Sequence, residues 1–596
     1  MVVSVIMVSY HTGPALWLAI DSVLEQPECK ELLLVDNGNA PGDFKRLQAL
    51  AAQEPRLQLL SGHGNVGFAK GCNLGAKQAT GKYILLLNPD SMLPEGGLTR
   101  ALVGLQSYPP STVAGCFLAH ADGSEQRGGR RALLTPENAV VESLGLHRFF
   151  KRSQRLNFHG TPMPDATHEV PAISGAFMLT TRAFYQQLRG LDESYFLHME
   201  DMDFCYRVHQ ACGKIICIPD VKVIHFRSTS EVTSAFVEKH KASGFIRYLR
   251  THFGKQHSPA FFMAMTLGIW LRYALKITLS TFDRLFTPPL AARHEIARVV
   301  LLHRLTRFVP NDNSLAGKTI LVTGATGQAG LCTVAKALAR GAHVIAAIHE
   351  TDVTFSHPHL TWVDYGTIST IKADYIIHAA PLTLLAEVSA QFITNGMRRI
   401  ITFSSAIVAD LAHVTNTHEK DYLTRLQTAE SDLLSITANT SCPATILRTT
   451  TVYGTGAGGE LTRLADIIRR FGRIPVYGDA QGWRHPVQAV DLAEAALAIL
   501  QNPKSYGKTY TLGGKQTMKC KTMIGKLFEY LGKPVRITSF PFLPSMLDAL
   551  GAVYQMRYIN GEMARRMNRD LVFDIKDAID DFGYRPQGFL EGEAVL

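Results

Sequence analysis

The chain has 596 residues, of which 46% are hydrophobic and 19% charged, a balance typical of globular proteins and one that excludes a disordered chain. At roughly 100 to 200 residues per domain, this length predicts two or three domains. A net charge of +10 favours anionic partners such as phosphorylated substrates or membrane surfaces, and the absence of any nucleic-acid-binding motif argues against nucleic acid. Nine scattered cysteines without a Cys-x-x-Cys pair exclude a disulfide framework and a zinc site, and they favour a reducing compartment.

The first predicted element is a buried strand, residues 2–8, followed by Ser9 and Tyr10. Because this strand begins at once, without a basic segment and a cleavage site, we expect no secretion signal. A second apolar strand, residues 31–35, ends at Asp36. Polar groups at the ends of successive buried strands indicate a ligand site, although the same residues also suit an ordinary βα turn.

A glycine-rich run, residues 64–75, precedes a third apolar strand, residues 83–87. The run places asparagine and glycine at short intervals: Asn65, Gly67, Gly71, Asn73 and Gly75. The strand ends on Asn88-Pro89-Asp90. A carboxylate at the carboxyl end of a buried strand lies where open α/β sheets bind ligands. The alternative is that Asp90 merely caps a turn.

Two later motifs also carry polar groups suited to chemistry. Glu200 and Asp201 open an acidic run, and His225 ends an apolar strand. A carboxylate can take the proton of an attacking hydroxyl as a general base, and two close like charges raise the pKa of one of them. Alternatively, the acid pair only favours a helix dipole and the histidine is structural. A basic loop suits either a phosphate or solvent: Arg127, Arg130 and Arg131.

The pattern Asn-x-Gly-Phe-Ala-x-Gly-x-Asn followed by Leu-Asn-Pro-Asp resembles the family 2 inverting glycosyltransferases, especially their rhamnosyltransferase-like members. The resemblance implies a GT-A-like domain over residues 1–256, with Asp90 and His225 holding Mg²⁺ or Mn²⁺. It also implies that Asp201, paired with Glu200, is the catalytic base. The implied donor-binding residues are Ser9, Tyr10, Asp36, Asn65, Gly67, Asn73, Asn88 and Asp90.

Residues 257–313 are predicted to form a basic, amphipathic helical linker. Their apolar run, residues 259–271, stops at Arg272 and falls short of the roughly 20 residues of a membrane span, so we predict no transmembrane helix. Bases on one side of the helix and apolar residues on the other suit an anionic membrane surface. Alternatively, the apolar stripe docks on one of the globular domains.

The last predicted domain, residues 314–596, opens with a strand, residues 318–323, and a Gly-x-x-Gly-x-x-Gly loop that leads into a helix. In such a unit the backbone approaches a pyrophosphate at the helix N-terminus. The alternative is a glycine-rich turn without a ligand. The candidate cofactor-binding residues are Gly324, Thr326, Gly327 and Gly330.

This region resembles the extended short-chain dehydrogenase/reductases of the nucleotide-sugar epimerase and dehydratase group. The resemblance is carried by Asp-Tyr-Ile-Ile-His-Ala-Ala at residues 374–380, by Phe-Ser-Ser-Ala at 403–406 and by Gly-Asp at 478–479. It implies a Rossmann-type fold that binds NAD or NADP. It also implies the catalytic pair Ser405 and Tyr422 and the substrate-binding Arg484.

The chain departs from this pattern at the lysine that follows the catalytic tyrosine. Leu426 stands in its place, and without a neighbouring cation Tyr422 keeps a pKa of about 10 and is a poor base. His349 and Glu350 follow the second strand, where an acidic residue usually closes the strand. The choice between NAD and NADP therefore stays open. The domain therefore converts a nucleotide sugar, binds a ligand without turnover, or sets oligomer geometry. We rank a catalytically weakened domain first.

We therefore expect an α/β protein that transfers a sugar, such as rhamnose from its dTDP form, with inversion. The expected acceptor is a lipid-linked glycan of polysaccharide or O-antigen synthesis at the cytoplasmic face of the inner membrane. Alternatively, the chain is bifunctional, and its second domain epimerises or reduces the donor. A contrasting hypothesis is an oxidoreductase or epimerase whose first domain only binds sugar nucleotide. Homo-oligomers would form through the second domain.

Overall fold

A computed structural model describes residues 2–121, 123–138, 157–159, 161–227, 232, 234–286, 290–307, 312–348, 355, 357–385, 389–414, 416–456, 458–553 and 561–592. The chain packs into two compact units, Met1–Ala291 and Ala292–Leu596. The boundary falls inside the segment predicted as a linker. The fold class is α/β, as predicted, with a GT-A-like first unit and a Rossmann-like second unit.

The described strands of the first unit are β1 (Val3–Ser9), β2 (Cys29–Asp36), β3 (Leu57–Leu60), β4 (Tyr83–Leu87), β5 (Ser91–Met92), β6 (Thr112–Ala119), β7 (Arg130–Arg131), β8 (His168–Glu169), β9 (Ala172–Ile173), β10 (Phe177–Thr181) and β11 (Lys214–His225). The described helices up to the unit boundary are α1 (Ala15–Leu24), α2 (Pro41–Gln53), α3 (Phe68–Gln78), α4 (Gly97–Gln106), α5 (Arg182–Gln187), α6 (Glu200–Gln210), α7 (Ser234–Phe253), α8 (Pro259–Phe286) and α9 (Leu290–Arg307), the last of which crosses it.

The main sheet of this unit has the strand order β3-β2-β1-β4-β10-β6-β11-β5, and β8 also pairs with β11. The first four strands of that order are parallel, and β10 runs antiparallel to both β4 and β6. The carboxyl ends of β1, β2 and β4 therefore meet the amino end of β10 at one edge. The continuous apolar runs predicted as strands form these buried central strands.

Helix α3, built by the glycine-rich run, packs unusually close to the sheet. A Cβ atom at Gly71 would lie 2.8 Å from the Val8 side chain, and one at Gly75 would lie 2.6 Å from Ile6. These two glycines therefore allow the helix backbone to approach β1. The glycine spacing that suggested a ligand-binding loop in the sequence allows close packing of α3 on β1.

Helix α8 corrects one sequence prediction. The 19-residue stretch Pro259–Ile277 is long and apolar enough to cross a membrane by length and composition, and 6% of it is buried. The expectation that the apolar run is too short was wrong, because the stretch continues past Arg272 with few further charges. Length and composition alone do not distinguish a spanning helix from one lying on a surface.

The described strands of the second unit are β12 (Thr319–Thr323), β13 (His343–Ile348), β14 (Leu360–Asp364), β15 (Tyr375–His378), β16 (Arg399–Ser405), β17 (Ala444–Thr449), β18 (Val452–Tyr453), β19 (Ile474–Val476), β20 (Trp483–Arg484), β21 (Val487–Gln488), β22 (Thr509–Leu512), β23 (Met518–Lys519) and β24 (Ile537–Ser539). Its described helices are α10 (Gln328–Ala339), α11 (Ser389–Thr394), α12 (Thr417–Thr437), α13 (Glu460–Phe471), α14 (Ala489–Ala498), α15 (Cys520–Tyr530), α16 (Leu543–Val553), α17 (Gly561–Arg566) and α18 (Lys576–Phe582).

The main sheet of the second unit is wholly parallel, in the order β14-β13-β12-β15-β16-β17-β22. This is the order of a doubly wound dinucleotide-binding fold, with the reversal of strand order beside β12. The glycine loop follows β12. The fold thus places that loop where such sheets bind ligands.

Candidate active site

The candidate site lies at the carboxyl edge of β1, β2 and β4. Ser9 and Asp36 are register partners at the ends of β1 and β2, and Asn88 follows β4. The Asn88 backbone NH donates to the Ala176 carbonyl at 3.1 Å, which ties this edge to the amino end of β10. The strand-end residues singled out in the sequence therefore share one edge of the sheet.

The β1 and β2 ends are joined by one amide that the sequence analysis did not single out. Asn39 Nδ2 donates to Ser9 Oγ and to Asp36 Oδ1, each at 2.7 Å. The backbone NH groups of Gly38 and Asn39 also donate to Asp36 Oδ1, at 3.3 and 3.0 Å. The ring of Tyr10 lies against Gly38, where a Cβ atom would stand 3.4 Å from it. Ser9, Tyr10 and Asp36 therefore form one ordered corner of the site.

Asp90 lies beside His225 at the opposite end of this edge. Asp90 Oδ1 is 3.2 Å from His225 Nε2, and the Asn88 amide nitrogen is 3.3 Å from the same ring atom. Gln126, absent from the sequence predictions, holds the other ring nitrogen, His225 Nδ1, at 3.0 Å through its Oε1. The Gln126 amide nitrogen donates to the carbonyls of Ala119 and His225, which fixes Oε1 as the acceptor.

This arrangement decides which His225 nitrogen carries a proton. Because Gln126 Oε1 can only accept, His225 Nδ1 must donate, and Nε2 lies on the side of Asp90 and Asn88. An imidazole nitrogen and a carboxylate oxygen that converge, with the far ring nitrogen anchored, fit a divalent cation. Within the described ranges, no group of three or more His, Cys, Asp and Glu side chains suits a metal. Mg²⁺ commonly takes one or two protein ligands, and substrate phosphates and water complete its shell.

Asp201 begins helix α6 and is held by three NH donors. Arg131 Nη2 and the Gly175 backbone NH donate to Asp201 Oδ2, the latter at 3.1 Å. The Met202 NH donates to Oδ1 at 2.7 Å. Burial favours the neutral acid, but Arg131 and these NH groups outweigh it and hold the pKa of Asp201 below its ordinary value. Since Gly175 lies just before β10, Asp201 joins the same edge as Asn88 and Asp90.

Glu200, the neighbour of Asp201, lies in a contrasting environment. It is 6% exposed, and its Oε2 has no hydrogen-bond partner among the residues that the structure describes. Burial, reinforced by the negative charge of Asp201, raises the pKa of Glu200 to about 8. The two adjacent carboxyl groups therefore divide into one ionised acid and one that keeps its proton near neutral pH.

The turn that delivers this pair is strained. His198 and Met199 both have left-handed backbones, with φ of 67° and 75°, which is unusual for residues other than glycine. Helix α7 packs directly on this turn, since a Cβ atom at Gly244 would lie 3.0 Å from the His198 carbonyl. His252, also on α7, bonds Asp203 of α6 at 2.7 Å. The position of the acid pair thus depends on α7.

Three residues predicted to bind the donor lie at or near α3 and contact the protein. Asn65 Oδ1 accepts from the Gly67 NH at 3.1 Å, and Gly67, at φ of 85°, leaves room for the Phe196 carbonyl. Asn73 uses all the hydrogen-bonding capacity of its amide on Tyr185, the Leu191 backbone and Glu193. These contacts give Asn73 a structural role, and its predicted donor contact stays a prediction.

The predicted basic loop does not act as a unit. Arg130 forms a two-point ion pair with Glu125, at 2.8 and 2.9 Å, while Arg131 reaches Asp201. The sequence singled out Arg131 as a phosphate ligand or a solvated base, and its pairing with a carboxylate 70 residues away was missed.

In the second unit, the glycine loop has the compact form that a dinucleotide requires. Gly324 has φ of 62°, and a Cβ atom there would lie 2.5 Å from the Ala380 nitrogen. One at Gly330 would lie 2.2 Å from the Gly324 carbonyl oxygen. Gly327 is exposed at the start of α10, with Thr326 beside it. The loop residues fit a pyrophosphate at the helix N-terminus, and NAD or NADP would supply hydride chemistry there. The predicted His349 and Glu350 lie outside the described residues.

The catalytic residues implied for this unit are less complete. Ser405 Oγ accepts from the Ile407 NH at 3.3 Å, and Tyr422 is 41% exposed on α12. Leu426, one turn further along α12, is 2% exposed in the core, so the lysine position points into apolar packing. Arg484 donates to the backbone carbonyls of Trp483, Arg566 and Arg569 at 2.5 to 2.9 Å. These contacts give Arg484 a structural role, and its predicted substrate contact stays a prediction.

Two family models match the chain. The glycosyl transferase family 2 model matches residues 4–187, and the NAD dependent epimerase/dehydratase family model matches residues 378–513. The first match ends before Glu200 and contains the ends of β1, β2 and β4. The second match begins at His378 and contains Ser405, Tyr422 and Arg484.

Individual relatives and solved structures are similar to parts of the chain. The chain is 25% identical to N-acetylglucosaminyl-diphospho-decaprenol L-rhamnosyltransferase of Mycobacterium tuberculosis, over 43% of this chain and 87% of that protein. It is 23% identical to rhamnosyltransferase WbbL of Escherichia coli, over 38% of this chain and 83% of that protein. Among solved structures, epimerase Mth375 of Methanothermobacter thermautotrophicus matches with a TM-score of 0.39 and 17% identity, over 47% of this chain and 91% of that chain. The chain therefore joins a family 2 glycosyltransferase domain to a domain of the NAD dependent epimerase/dehydratase family, and it is a glycosyltransferase.

Proposed function

We propose that the first unit transfers a sugar from a nucleotide-sugar donor to a lipid-linked glycan, with inversion at the anomeric carbon. The observation that carries this proposal is the position of two carboxylates at one edge of the sheet. Asp90 faces His225 after β4, and Asp201 binds the backbone just before β10. Backbone pairing between Asn88 and Ala176 joins the two places.

The residues divide the reaction between them. Ser9, Tyr10 and Asp36 bind the nucleotide, and Asp90 and His225 hold a divalent metal at the donor diphosphate. When bound, the metal would neutralise charge on the leaving diphosphate. The acceptor oxygen forms a bond to the anomeric carbon as the bond from that carbon to the diphosphate breaks. Asp201 takes the proton of the acceptor hydroxyl, since it is ionised and retains a free lone-pair site.

The relatives support a choice of sugar and acceptor. Two of them are named as rhamnosyltransferases, and one name specifies an N-acetylglucosaminyl-diphospho-decaprenol acceptor. A third is named as an O-antigen biosynthesis protein. We therefore propose a deoxyhexose donor such as dTDP-rhamnose and an isoprenoid diphosphate-linked acceptor of polysaccharide synthesis.

The test is a donor screen with the full chain. Nucleoside diphosphate release and glycolipid mass are measured for a panel of nucleotide sugars, with Mg²⁺, Mn²⁺ or EDTA, and with an N-acetylglucosaminyl-diphospho-prenol acceptor. We expect a glycolipid one deoxyhexose heavier, formed with a metal present. Release from no donor under any metal, or transfer that persists in Asp201→Asn, would contradict the proposal.

We further propose that α8 binds the chain to an anionic membrane surface. Met263, Leu267, Leu271 and Leu275 recur every four residues and are 61 to 71% exposed. Such spacing places them on one face of the helix. A groove of about 670 Å³ between α7 and α8 has Arg250 at its edge and Trp270 in its lining. An apolar stripe beside bases is the pattern of interfacial helices, and a lipid-linked acceptor requires access to that surface.

Vesicle flotation tests this placement. The protein should float with phosphatidylglycerol vesicles more than with phosphatidylcholine vesicles, and Leu267→Glu should reduce flotation at least fivefold. Val103→Glu on α4 is the matched control, since Val103 is 62% exposed and apolar but lies outside α8. Equal flotation of wild type and Leu267→Glu would contradict membrane binding through this face.

For the second unit, we propose a catalytically weakened domain that retains dinucleotide binding. Leu426 fills the position of the lysine, and the Arg484 guanidinium is taken up by carbonyl groups. Arg566 pairs with Glu419 at 2.9 Å and Arg569 with Asp410 at 3.4 Å, which joins the segment before Tyr422 to the C-terminal segment.

Incubation with nucleotide sugars and NAD or NADP separates binding from turnover. We expect saturable quenching or calorimetric binding of the dinucleotide without absorbance at the reduced nicotinamide band and without a new sugar. Formation of an epimerised or reduced nucleotide sugar would contradict the proposal and favour the bifunctional alternative. Absence of dinucleotide binding would favour a purely structural unit.

A further inference from the structure

The Glu200–Asp201 pair presents two carboxyl groups on successive residues, and chemistry requires that one of them, not both, act as the base. Side-chain size does not decide between them. Their surroundings differ: Asp201 binds the guanidinium of Arg131 and two backbone NH groups, whereas Glu200 Oε2 has no hydrogen-bond partner among the described residues. We infer that Arg131 is a positioning residue that assigns the base role to Asp201. This inference rests on the proposed function of the first unit.

Arg131 reaches Asp201 from a short strand that the rest of the site holds in place. Strand β7 pairs antiparallel with β9, with Arg131 opposite Ala172 and Arg130 opposite Ile173. Arg131 Nη2 donates to the Ile173 carbonyl at 3.1 Å and to Asp201 Oδ2. Ile173 lies two residues before Gly175, whose NH binds the same carboxylate oxygen. One segment of chain therefore orients both the cation and the base.

The contacts leave Asp201 usable as a base. Its carboxylate offers about four lone-pair sites, and the NH groups of Arg131, Gly175 and Met202 take three of them. A free site remains for the acceptor hydroxyl. Glu200 receives no such contact from the described part of the chain at its Oε2, although the atom is fully buried. An ionised Glu200 would therefore place negative charge on a buried oxygen that has no hydrogen-bond partner among the described residues, which is unfavourable.

The titratable groups that the described residues place around Asp201 are consistent with this division. Arg131 is the cation that faces Asp201 from β7, while Glu200, Asp203 and Cys205 share the helix of Asp201. His198 also lies near, with Lys241 and Glu238 around it, and burial and the charge of Lys241 lower the pKa of His198 to about 4, so it is neutral near pH 7. Arg131 is thus the charged group that favours an ionised Asp201.

The pH dependence of kcat/KM tests the role of Arg131. Activity through an ionised base rises with pH through the pKa of that base. Loss of a cation raises that pKa, so the acidic limb of Arg131→Met should move at least one pH unit higher, with about tenfold lower kcat/KM on the acid side. The deficit should shrink toward the alkaline plateau. Arg131→Lys should recover part of the shift.

Arg130→Met is the matched control. Arg130 occupies the adjacent position of the same strand and is also paired with a carboxylate, Glu125, so its loss tests general damage to β7. Its acidic limb should keep the wild-type position. The inference would be overturned if the pH profile of kcat/KM for Arg131→Met coincided with that of wild type. An equal shift of the acidic limb in Arg130→Met would overturn it as well.

Glu200→Gln provides an independent measurement should Arg131→Met fold poorly. If Asp201 is the base, Glu200→Gln should retain an acidic limb that does not move to higher pH. Loss of the acidic limb in Glu200→Gln would assign the base role to Glu200 and overturn the inference. Transfer that persists in Asp201→Asn would instead contradict the proposed function itself, which keeps the two failures distinct.

Discussion

In the first unit, Asp201 keeps a lone-pair site for a ligand, whereas in the second unit the guanidinium of Arg484 is occupied by the protein. Asp201 accepts three NH donors, and Asp90 lies 3.2 Å from His225 Nε2. Arg484 donates to three carbonyls, and Tyr422 faces no lysine four residues on. Membership of a predicted site therefore does not predict equal chemistry, because reactivity requires hydrogen-bonding capacity that the protein has not already used.

The largest expected effect falls on the base. Asp201→Asn removes the proton acceptor, so kcat should fall by at least roughly 100-fold, while the Kd for the donor nucleotide changes less than threefold. Transfer assays and calorimetric donor titration measure the two effects. Glu169→Gln, which removes an exposed carboxylate paired with Lys214, is the control and should keep activity. A comparable loss in the control would indicate damage to the fold.

A second test removes an occupied group from the second unit. Arg484 is 4% exposed, and Arg484→Met leaves three carbonyls without a donor, so the second unit should lose about 3 kcal/mol or more of unfolding free energy. Thermal unfolding monitored by limited proteolysis resolves the two units. Sugar transfer at low temperature should persist. Unchanged unfolding with lost dinucleotide or sugar-nucleotide binding would restore Arg484 as a ligand contact.

Glu200 yields a smaller effect with a defined sign. Burial raises its pKa to about 8 from the ordinary 4.5, so the folded state binds the proton more tightly than the unfolded state. This contribution to stability is full below about pH 4.5 and is lost as pH rises through about 8. The Tm of wild type should therefore fall over this range by several degrees more than that of Glu200→Gln. Parallel Tm curves would contradict the raised pKa.

The smallest expected effect is none. If the second unit does not turn over a sugar, Tyr422→Phe should leave sugar transfer, dinucleotide binding and Tm unchanged, since Tyr422 is 41% exposed. The same substitution in an active enzyme of this family type would abolish its reaction. A lost epimerase or reductase signal in Tyr422→Phe would overturn the comparison between the units.

The sequence was sufficient for most of the fold and for the edge that carries the site. Continuous apolar runs predicted β1, β2 and β4, and polar residues after them predicted their shared edge. Patterns of apolar and polar residues are local, so they predict where strands end but not which distant side chains pair. The pairing of Arg131 with Asp201 spans 70 residues and depends on how β7 meets β9, a contact that neither local pattern encodes.

Two other differences between the sequence predictions and the structure also have physical causes. Asn73 belongs to the motif that indicated the family, and its amide binds a loop more than 110 residues further along the chain, a contact that the motif did not predict. Gln126 gave no signal at all, since a glutamine in a polar loop is common, and only the network around His225 gives it a role. In both cases the role of the side chain depends on the hydrogen-bond partners that surround it in the fold, and composition does not reveal those partners.

The left-handed turn at His198 and Met199 makes helix α7 a partner in catalysis without any contact to substrate. Gly244 leaves the space in which that turn sits, so a larger residue there would displace the start of α6. Such a variant would bind donor normally and yet turn over slowly. A screen of random mutants should therefore be scored by product formation, because an affinity screen would pass lesions of this helix as wild type.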